Sequence, residues 1–253
     1  MIHIVTHANR HLYTAQLTEM HRQRAEIFVR TKGWRLQLRD GGEYDQGDDE
    51  RAVYLLALDE TGRVYGHIRL RPADDFSMLF DALPHFMFED AHAYRRRGSV
   101  WEMARYVAIG EGLPQGEASK ASAEIKIALL EAAFARGATE VVGACDVGLY
   151  GHITTHGWRF KPLGLPRSYP EGGAAIAFTL PVTVEEIVHA RTVSRRFDPV
   201  RLEIPPGAEW SRLPLPVIEE EYRRAACGAA AEDPFEAAAH AALAARMGSE
   251  RAA

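Results

Sequence analysis

Between positions 24 and 48 the sequence places Arg24, Phe28, Trp34, Glu43, Tyr44, Asp45 and Asp48. Aromatic faces attract a cation by roughly 0.5–2 kcal/mol without demanding its full desolvation. Carboxylates beside them supply compensating charge, so this set suits an organic cation. The same residues also read as a solvated acidic loop behind two core aromatics, and taken alone they favour that plainer reading. A second set follows: Arg69, then Glu102 and Arg105 within the stretch Val100 to Arg105. Their odd spacing sends Glu102 and Arg105 to opposite faces of a regular strand. Either a β-bulge reunites them, or each serves its own side of the sheet. A buried charge needs a partner, so an arginine–carboxylate network through Asp45 or Asp48 is a competing expectation.

Other candidates point to less. His152 and His156 sit four apart on an expected helix, but no acidic residue completes a zinc signature, so solvated histidines are the simpler reading. Nucleophile-elbow, Walker and dinucleotide fingerprints are missing. Arg95-Arg96-Arg97 reads as a solvated basic loop, with docking of an acidic partner as the alternative.

Those side chains need elements to hold them. Leu17, Met20, Arg24, Ile27 and Phe28 recur at helical steps, which predicts an amphipathic helix over Thr14 to Arg30 with Arg24 beside its apolar stripe. Lys32 to Gly47, broken by Gly33, Gly41, Gly42 and Gly47, reads as a loop. Ala52 to Leu58 and Arg63 to Arg71 form an expected hairpin across Asp59-Glu60-Thr61-Gly62. In its second strand Val64, Gly66, Ile68 and Leu70 face one side, and Tyr65, His67 and Arg69 the other. Pro72 ends it. The irregular stretch Ala73 to Ser99 is long enough to be a binding loop or cap. Val100 to Ile109 reads as a strand, Glu124 to Arg136 as a helix closed by Gly137, Glu140 to Cys145 as a strand, Val147 to His156 as a helix and Ala174 to Leu180 as a last strand. Together they describe one mixed α/β sheet domain. Beyond Pro181 the character changes, and Asp233-Pro234 opens an alanine-rich helix.

Composition narrows the class. With 253 residues, 47% apolar and 26% charged, the chain has an ordinary soluble composition and length for a sizeable core. Its formal net charge of −5 argues against wholesale nucleic-acid binding. No apolar run approaches the ~20 residues of a membrane span, and no secretory signal is apparent. Cys145 and Cys227 are far apart and read as reduced thiols of a cytoplasmic protein.

In order, the chemistry-bearing residues make a series: Arg24, Phe28 and Trp34; Glu43-Tyr44-Asp45 and Asp48; Arg69-Leu70-Arg71-Pro72; Met78-Leu79; Trp101-Glu102-Met103-Ala104-Arg105. The series resembles the acyl-homoserine-lactone synthases (LuxI-type autoinducer synthases). The similarity runs on through Gly157-Trp158 and Gly164 to about Val182. It implies an autoinducer-synthase domain over 1–182, whereas 183–253, which the similarity does not cover, read from their own composition as a helical extension packed on, or loosely attached to, that domain.

The resemblance implies a GNAT-like α/β fold in three layers, α/β/α. It implies transfer of an acyl group from acyl carrier protein, or from acyl-CoA, to the amine of S-adenosylmethionine. Lactonisation then releases methylthioadenosine and leaves an N-acyl-homoserine lactone, a quorum-sensing signal. Both reactants are substrates, so neither a separate cofactor nor a metal is expected. On this resemblance Glu102 is the base and Arg105 its catalytic neighbour. Arg24, Phe28, Trp34, Asp45, Asp48 and Arg69 surround S-adenosylmethionine. Met78, Cys145 and Asp146 line the acyl chain. Many relatives carry Ser or Thr where Cys145-Asp146 stands here, so a 3-oxo preference does not carry over. The alternative is a GNAT-like N-acyltransferase acting on another amine. That class usually has a Q/R-x-x-G-x-G/A turn, from which Gly110 to Gly116 departs. A third reading is an S-adenosylmethionine-binding sensor without turnover, although its mark, a lost catalytic group, is not seen.

Overall fold

The computed structural model describes residues 1–97, 99–109, 117–154 and 158–204, with side chains for all but 96–97, 117–118 and 152–154. The expected features at Gly110 to Gly116, His156, Cys227 and Asp233-Pro234 lie outside the described residues, as do the side chains of His152, Arg96 and Arg97.

Ile2 and Ile4 seed β1 (Ile2–Val5), an element that the apolar patterning does not single out. Regular helix α1 covers Thr14–Arg24 and stops there. Ala25–Thr31 continue as a π-helical turn, a wider winding frequent at functional sites. The glycine-broken loop holds a small ribbon, β2 (Leu38–Arg39) against β3 (Gly42–Glu43). Asp40 and Gly41 join them with φ of +52° and +79°, the left-handed pair that a two-residue hairpin needs.

The main sheet is built from β4 (Val53–Leu58), β5 (Val64–Pro72), β6 (Val100–Ala108), β7 (Glu140–Asp146), β8 (Lys161–Pro162), β9 (Arg167–Tyr169), β10 (Gly173–Pro181) and β11 (Arg201–Leu202), together with β1. Among the described residues its order is β11-β1-β4-β5-β6-β7-β10-β8, with β9 also on β10. Between β4 and β5 the register shifts near Ala57/Leu58. Val64 therefore packs with Tyr54 and Leu56, away from the Ile68 and Leu70 side where strict alternation puts it.

Helix α2 begins at Glu117, earlier than the expected Glu124, and runs to Ala135. Gly137, at φ +74°, closes it as expected. It shares one sheet face with α4 (Val184–Ser194), burying Ile125, Leu129 and Ile187 against Leu55, Ile68 and Phe178. On the opposite face α1 buries Met20 against Tyr54 and Leu56. Farther along that face the segment after β5 folds into short turns whose Leu79, Phe80, Phe86 and Met87 cover Val142 and Ala177. The stretch Ala73 to Ser99 is thus a cap. The short helix α3 (Val147–Thr154) follows β7 directly.

Beyond Pro181, the boundary expected at 182/183 runs through packed structure. Thr183 Oγ1 caps α4 by accepting from the amide of Glu186. β11 then pairs in parallel with β1 at the sheet edge. Val182, Ile187, Ala190, Val200 and Leu202 are core residues. Arg191 places a buried guanidinium on Glu131 of α2 at 2.6 Å. Residues 183–204 thus pack on the sheet domain, the first of the two expected arrangements, since a loosely attached tail would leave these apolar faces wet. Removing one member of a buried ion pair costs about 3–5 kcal/mol. Truncation after Val182 takes Arg191 and the α4 core together, so soluble yield and a cooperative melt by circular dichroism are both expected to be lost.

Candidate active site

The three arginines Arg24, Arg69 and Arg105 come from different elements: the end of α1, β5 and β6. All are buried. Their partners all come from one short stretch, Glu43, Asp45 and Asp48. Arg24 donates to Glu43 at 2.6 Å and to both oxygens of Asp48 at 2.7 and 2.8 Å. Arg105 donates to Glu43 at 2.8 and 3.1 Å and contacts Asp45 at 2.8 Å. Arg69 grips Asp45 through both terminal nitrogens and reaches Asp48 at 2.8 Å. The six groups close a ring of alternating sign: Arg24, Glu43, Arg105, Asp45, Arg69, Asp48.

The ring depends on backbone detail. Arg69 pairs with Ala104 and His67 with Val107, so β6 carries one extra residue there. Arg105 sits in that bulge at φ +59°, the left-handed region a non-glycine residue rarely adopts. The bulge resolves the odd spacing, for Arg105 turns onto the face that holds Arg69 and Glu102. Gly47 is needed for a close approach, since a Cβ there lies 2.7 Å from an Arg69 nitrogen. Within the acidic stretch Asp48 accepts from the amide of Asp45, and Asp45 from the amide of Gly47. Tyr54 donates its hydroxyl to Asp48 at 3.0 Å.

Electrostatics separate the acids. Burial works to raise Asp48, but hydrogen bonds from Arg24 and the charge of Arg69 hold its carboxyl far below the usual range. Asp45 is likewise lowered, by Arg69 and Arg105 against the opposing effect of burial. Glu102 goes the other way. Burial raises it, although it accepts from the amides of Leu79 at 2.6 Å and Met78 at 2.8 Å. It has no arginine ion pair among the described residues. Its cross-strand neighbour Arg71 is turned to Asp49 and Asp75.

The aromatic pair forms as expected. Phe28 and Trp34 stack with centroids 5.2 Å apart and planes 9° from parallel. The Arg105 guanidinium lies 5.6 Å from the Phe28 ring, and Tyr169 meets Trp34 edge-on. The three residues expected along an acyl chain do not meet on one wall. Met78 lies by the ring, its Sδ accepting from Arg105 at 3.2 Å. Cys145 is buried on the α2 side, its thiol pushed up to about 12 by burial and by Asp146. Asp146, one residue on, faces the other side and accepts from Tyr169 at 2.9 Å, with Lys32 at 3.6 Å. Strand alternation separates these two neighbours.

Sequence reasoning missed parts of the support. Glu43, named only as one acid of the loop, is the fully buried link between Arg24 and Arg105. His21 lies under it, Nδ1 2.8 Å from its carbonyl oxygen, lowered to about 4 by burial and Arg24. It is therefore neutral, and it stacks on Tyr44. The signal in the sequence was Arg24 at i+3 from His21 on the same helix. Among the described residues no group of three or more His, Cys, Asp or Glu could hold a metal, and no helix is long and apolar enough to cross a membrane.

Comparison with known proteins gives this geometry a context. The autoinducer synthase family model matches residues 8–189. An isovaleryl-homoserine lactone synthase of Bradyrhizobium diazoefficiens is 34% identical over 170 residues, covering 66% of this chain and 73% of its own. An acyl-homoserine-lactone synthase of Pseudomonas aeruginosa is 27% identical, covering 73% and 89% respectively. The solved structure of a CoA-dependent acyl-homoserine lactone synthase, BjaI, with SAM and isopentyl-CoA, superposes with a TM-score of 0.69 at 27% identity. It covers 83% of this chain and 96% of its own.

The ring makes a pH signature. A carboxyl whose folded pKa is depressed contributes stability above its unfolded value, near ~3.9, and loses it as pH falls below. Asp48→Asn is expected to cost about 3–5 kcal/mol at pH 7. In urea titrations the gap to the parent protein should narrow below about pH 4, and a gap independent of pH would remove Asp48 from the ring's energetics.

Proposed function

The chain belongs to the autoinducer synthase family, and we propose on that footing that it is an acyl-homoserine-lactone synthase. It takes an acyl group from a thioester to the amine of S-adenosylmethionine and then lactonises the product. The observation that carries the assignment is the arginine–carboxylate ring set beside a stacked Phe28–Trp34 pair and an acid, Glu102, that has no arginine ion pair among the described residues.

The ring has three charges of each sign, so the sulfonium finds no net anion there. The flat faces of Phe28 and Trp34 offer it attraction without such a partner. Asp45, with 16% of its side chain exposed, is the most open acid of the ring and the one placed to meet ligand. Glu43 and Asp48 are sealed and act as braces. Arg24 and Arg69 hold them, and Arg105 joins the ring to Met78 and Phe28.

A free α-amine has a pKa of about 7.7–8.0 and must lose a proton before it attacks. Glu102 is the acid suited to accept that proton, directly or through water, because burial raises its basicity while the arginines lower that of Asp45 and Asp48. The Met78 and Leu79 amides and the Ser77 side chain occupy three of the roughly four sites at which a carboxylate accepts, which leaves room for a further donor. The amine nitrogen bonds to the acyl carbon as the carbon–sulfur bond breaks, and the thiol leaves with a proton. The β6–β7 ladder ends at Glu102 and Val142. Unladdered amides beyond that point suit the developing oxyanion. The carboxylate of the acylated intermediate then attacks its own γ-carbon. A carbon–oxygen bond forms, the carbon–sulfonium bond breaks and neutral methylthioadenosine departs. That step is intramolecular, so orientation is the protein's main contribution.

The donor is a thioester of CoA or of acyl carrier protein. Relatives described as CoA-dependent, BjaI and MesI at 27% and 28% identity, favour CoA. Both substrates belong to the cytoplasm, so this reading places the chain there, with the lactone as a quorum-sensing signal.

Purified full-length chain given S-adenosylmethionine and isovaleryl-CoA or other short acyl-CoAs is expected to release methylthioadenosine. It should also form a species that fragments to the homoserine-lactone ion in mass spectrometry. Acylation of a different amine without methylthioadenosine would overturn the assignment. Glu102→Gln is expected to lower kcat by about 10²- to 10⁴-fold with little change in the KM for S-adenosylmethionine. A near-parental kcat in a folded variant would dismiss Glu102 as the base.

A further inference from the structure

Lys126 lies on α2 with 1% of its surface exposed, and its Nζ has no hydrogen-bond partner among the described residues. The nitrogen sits 5.9 Å from the centroid of the Trp158 ring. A cation–π contact at that distance offsets only part of the cost of taking an amine out of water. Burial pushes the ammonium down to about 7. A methionine fills the same volume at lower cost, so the fold by itself gives no reason for lysine here.

Its position suggests a reason. Ser122 stands one turn earlier on the same helix face, and its hydroxyl is 2.9 Å from that of Tyr106 on β6. On the other side Trp158 meets Phe160 edge-on, and Phe160 packs at 3.9 Å on Phe178 of β10. Strand β7 runs between β6 and β10. Ser122 thus reaches β6 through Tyr106, Lys126 faces Trp158 beside the Phe160–Phe178 stack on β10, and the β6–β7 ladder stops at Glu102 and Val142. Cys145, which the family resemblance assigns to the acyl chain, belongs to the same core cluster as Trp158. The Trp158 indole N–H donates to the Lys126 carbonyl oxygen at 3.2 Å and leaves the Lys126 amine itself without a hydrogen-bond partner among the described residues.

We infer that Lys126, flanked by the Tyr106–Ser122 pair, reads an oxygen on the acyl chain. The preferred thioester then carries an oxo, hydroxyl or carboxylate oxygen that accepts from Lys126 Nζ, in place of a plain alkyl chain. This inference rests on the acyl-homoserine-lactone synthase reading. A site built to hydrogen-bond a substrate oxygen discriminates strongly against the analogue lacking it, because the protein's own polar group is then left buried and unpaired.

The test compares six-carbon donors on the full chain: hexanoyl-CoA, 3-oxohexanoyl-CoA, 6-hydroxyhexanoyl-CoA and adipoyl-CoA, with methylthioadenosine release as the readout. At least one oxygenated donor is expected to exceed hexanoyl-CoA in kcat/KM by roughly tenfold or more. Lys126→Met should erase that preference while leaving the KM for S-adenosylmethionine within about twofold. Lys126→Gln, which keeps a donor, should retain part of the preference and serves if the methionine variant does not fold. Turnover with hexanoyl-CoA equal or better, or a preference that survives Lys126→Met, overturns the role of Lys126 alone. No methylthioadenosine from these donors, from isovaleryl-CoA, or from the same acyl groups carried on acyl carrier protein overturns the synthase reading, and this inference with it.

Discussion

Everything around the site depends on one electrostatic constraint, the closed ring of three arginines and three carboxylates. Each arginine contacts two acids at 2.8 Å or less and each acid two arginines, and Arg24 also reaches Asp45 across the ring at 4.0 Å. The arginines arrive from a helix end and two strands, whereas the acids all lie within six residues of one loop. The loop therefore acts as a clasp. It has little apolar surface of its own, and its conformation is set by charges that must be matched once they are taken out of water. The left-handed Arg105 is a local cost that this matching offsets, and Gly47 leaves the room for Arg69 that a Cβ would take.

Neutrality of the ring divides the labour among acids that look alike in the sequence. Asp48 and Glu43 are spent on arginines, while Asp45 keeps an open edge. Glu102 lies outside the ring and holds two amides of the cap. Burial raises its basicity against the lowering effect of the Leu79 and Met78 amides and the charge of Arg69, so a carboxylate suited to accept a proton stands beside Asp45 and Asp48, whose carboxyls the arginines lower. The cap that Glu102 fastens also carries Met78, whose sulfur touches Arg105. Glu102, cap and ring are thus one connected assembly.

Much of this was legible in residue order. Periodicity located α1, the β4–β5 hairpin, β6 and β7. The Arg24 to Arg105 series identified the family and nearly every member of the ring. A single sequence could not reveal β1, whose four residues are too short for a period, nor the start of α2. It also could not show that 183–204 complete the core, since β11 needs β1 as a distant partner to be a strand at all.

The sequence by itself determined the types of charge, the aromatic pair and the helix and strand periods, because these follow from local composition and spacing. Only the tertiary structure decided which acid pairs with which arginine, because both faces of the Glu102–Arg105 question were open until the bulge placed Arg105. It also decided that Cys145 and Asp146 face apart and that the Lys126 amine is buried with no hydrogen-bond partner among the described residues. Those outcomes depend on contacts between segments far apart in the chain, and on a desolvation balance that exists only once the chain has closed around them.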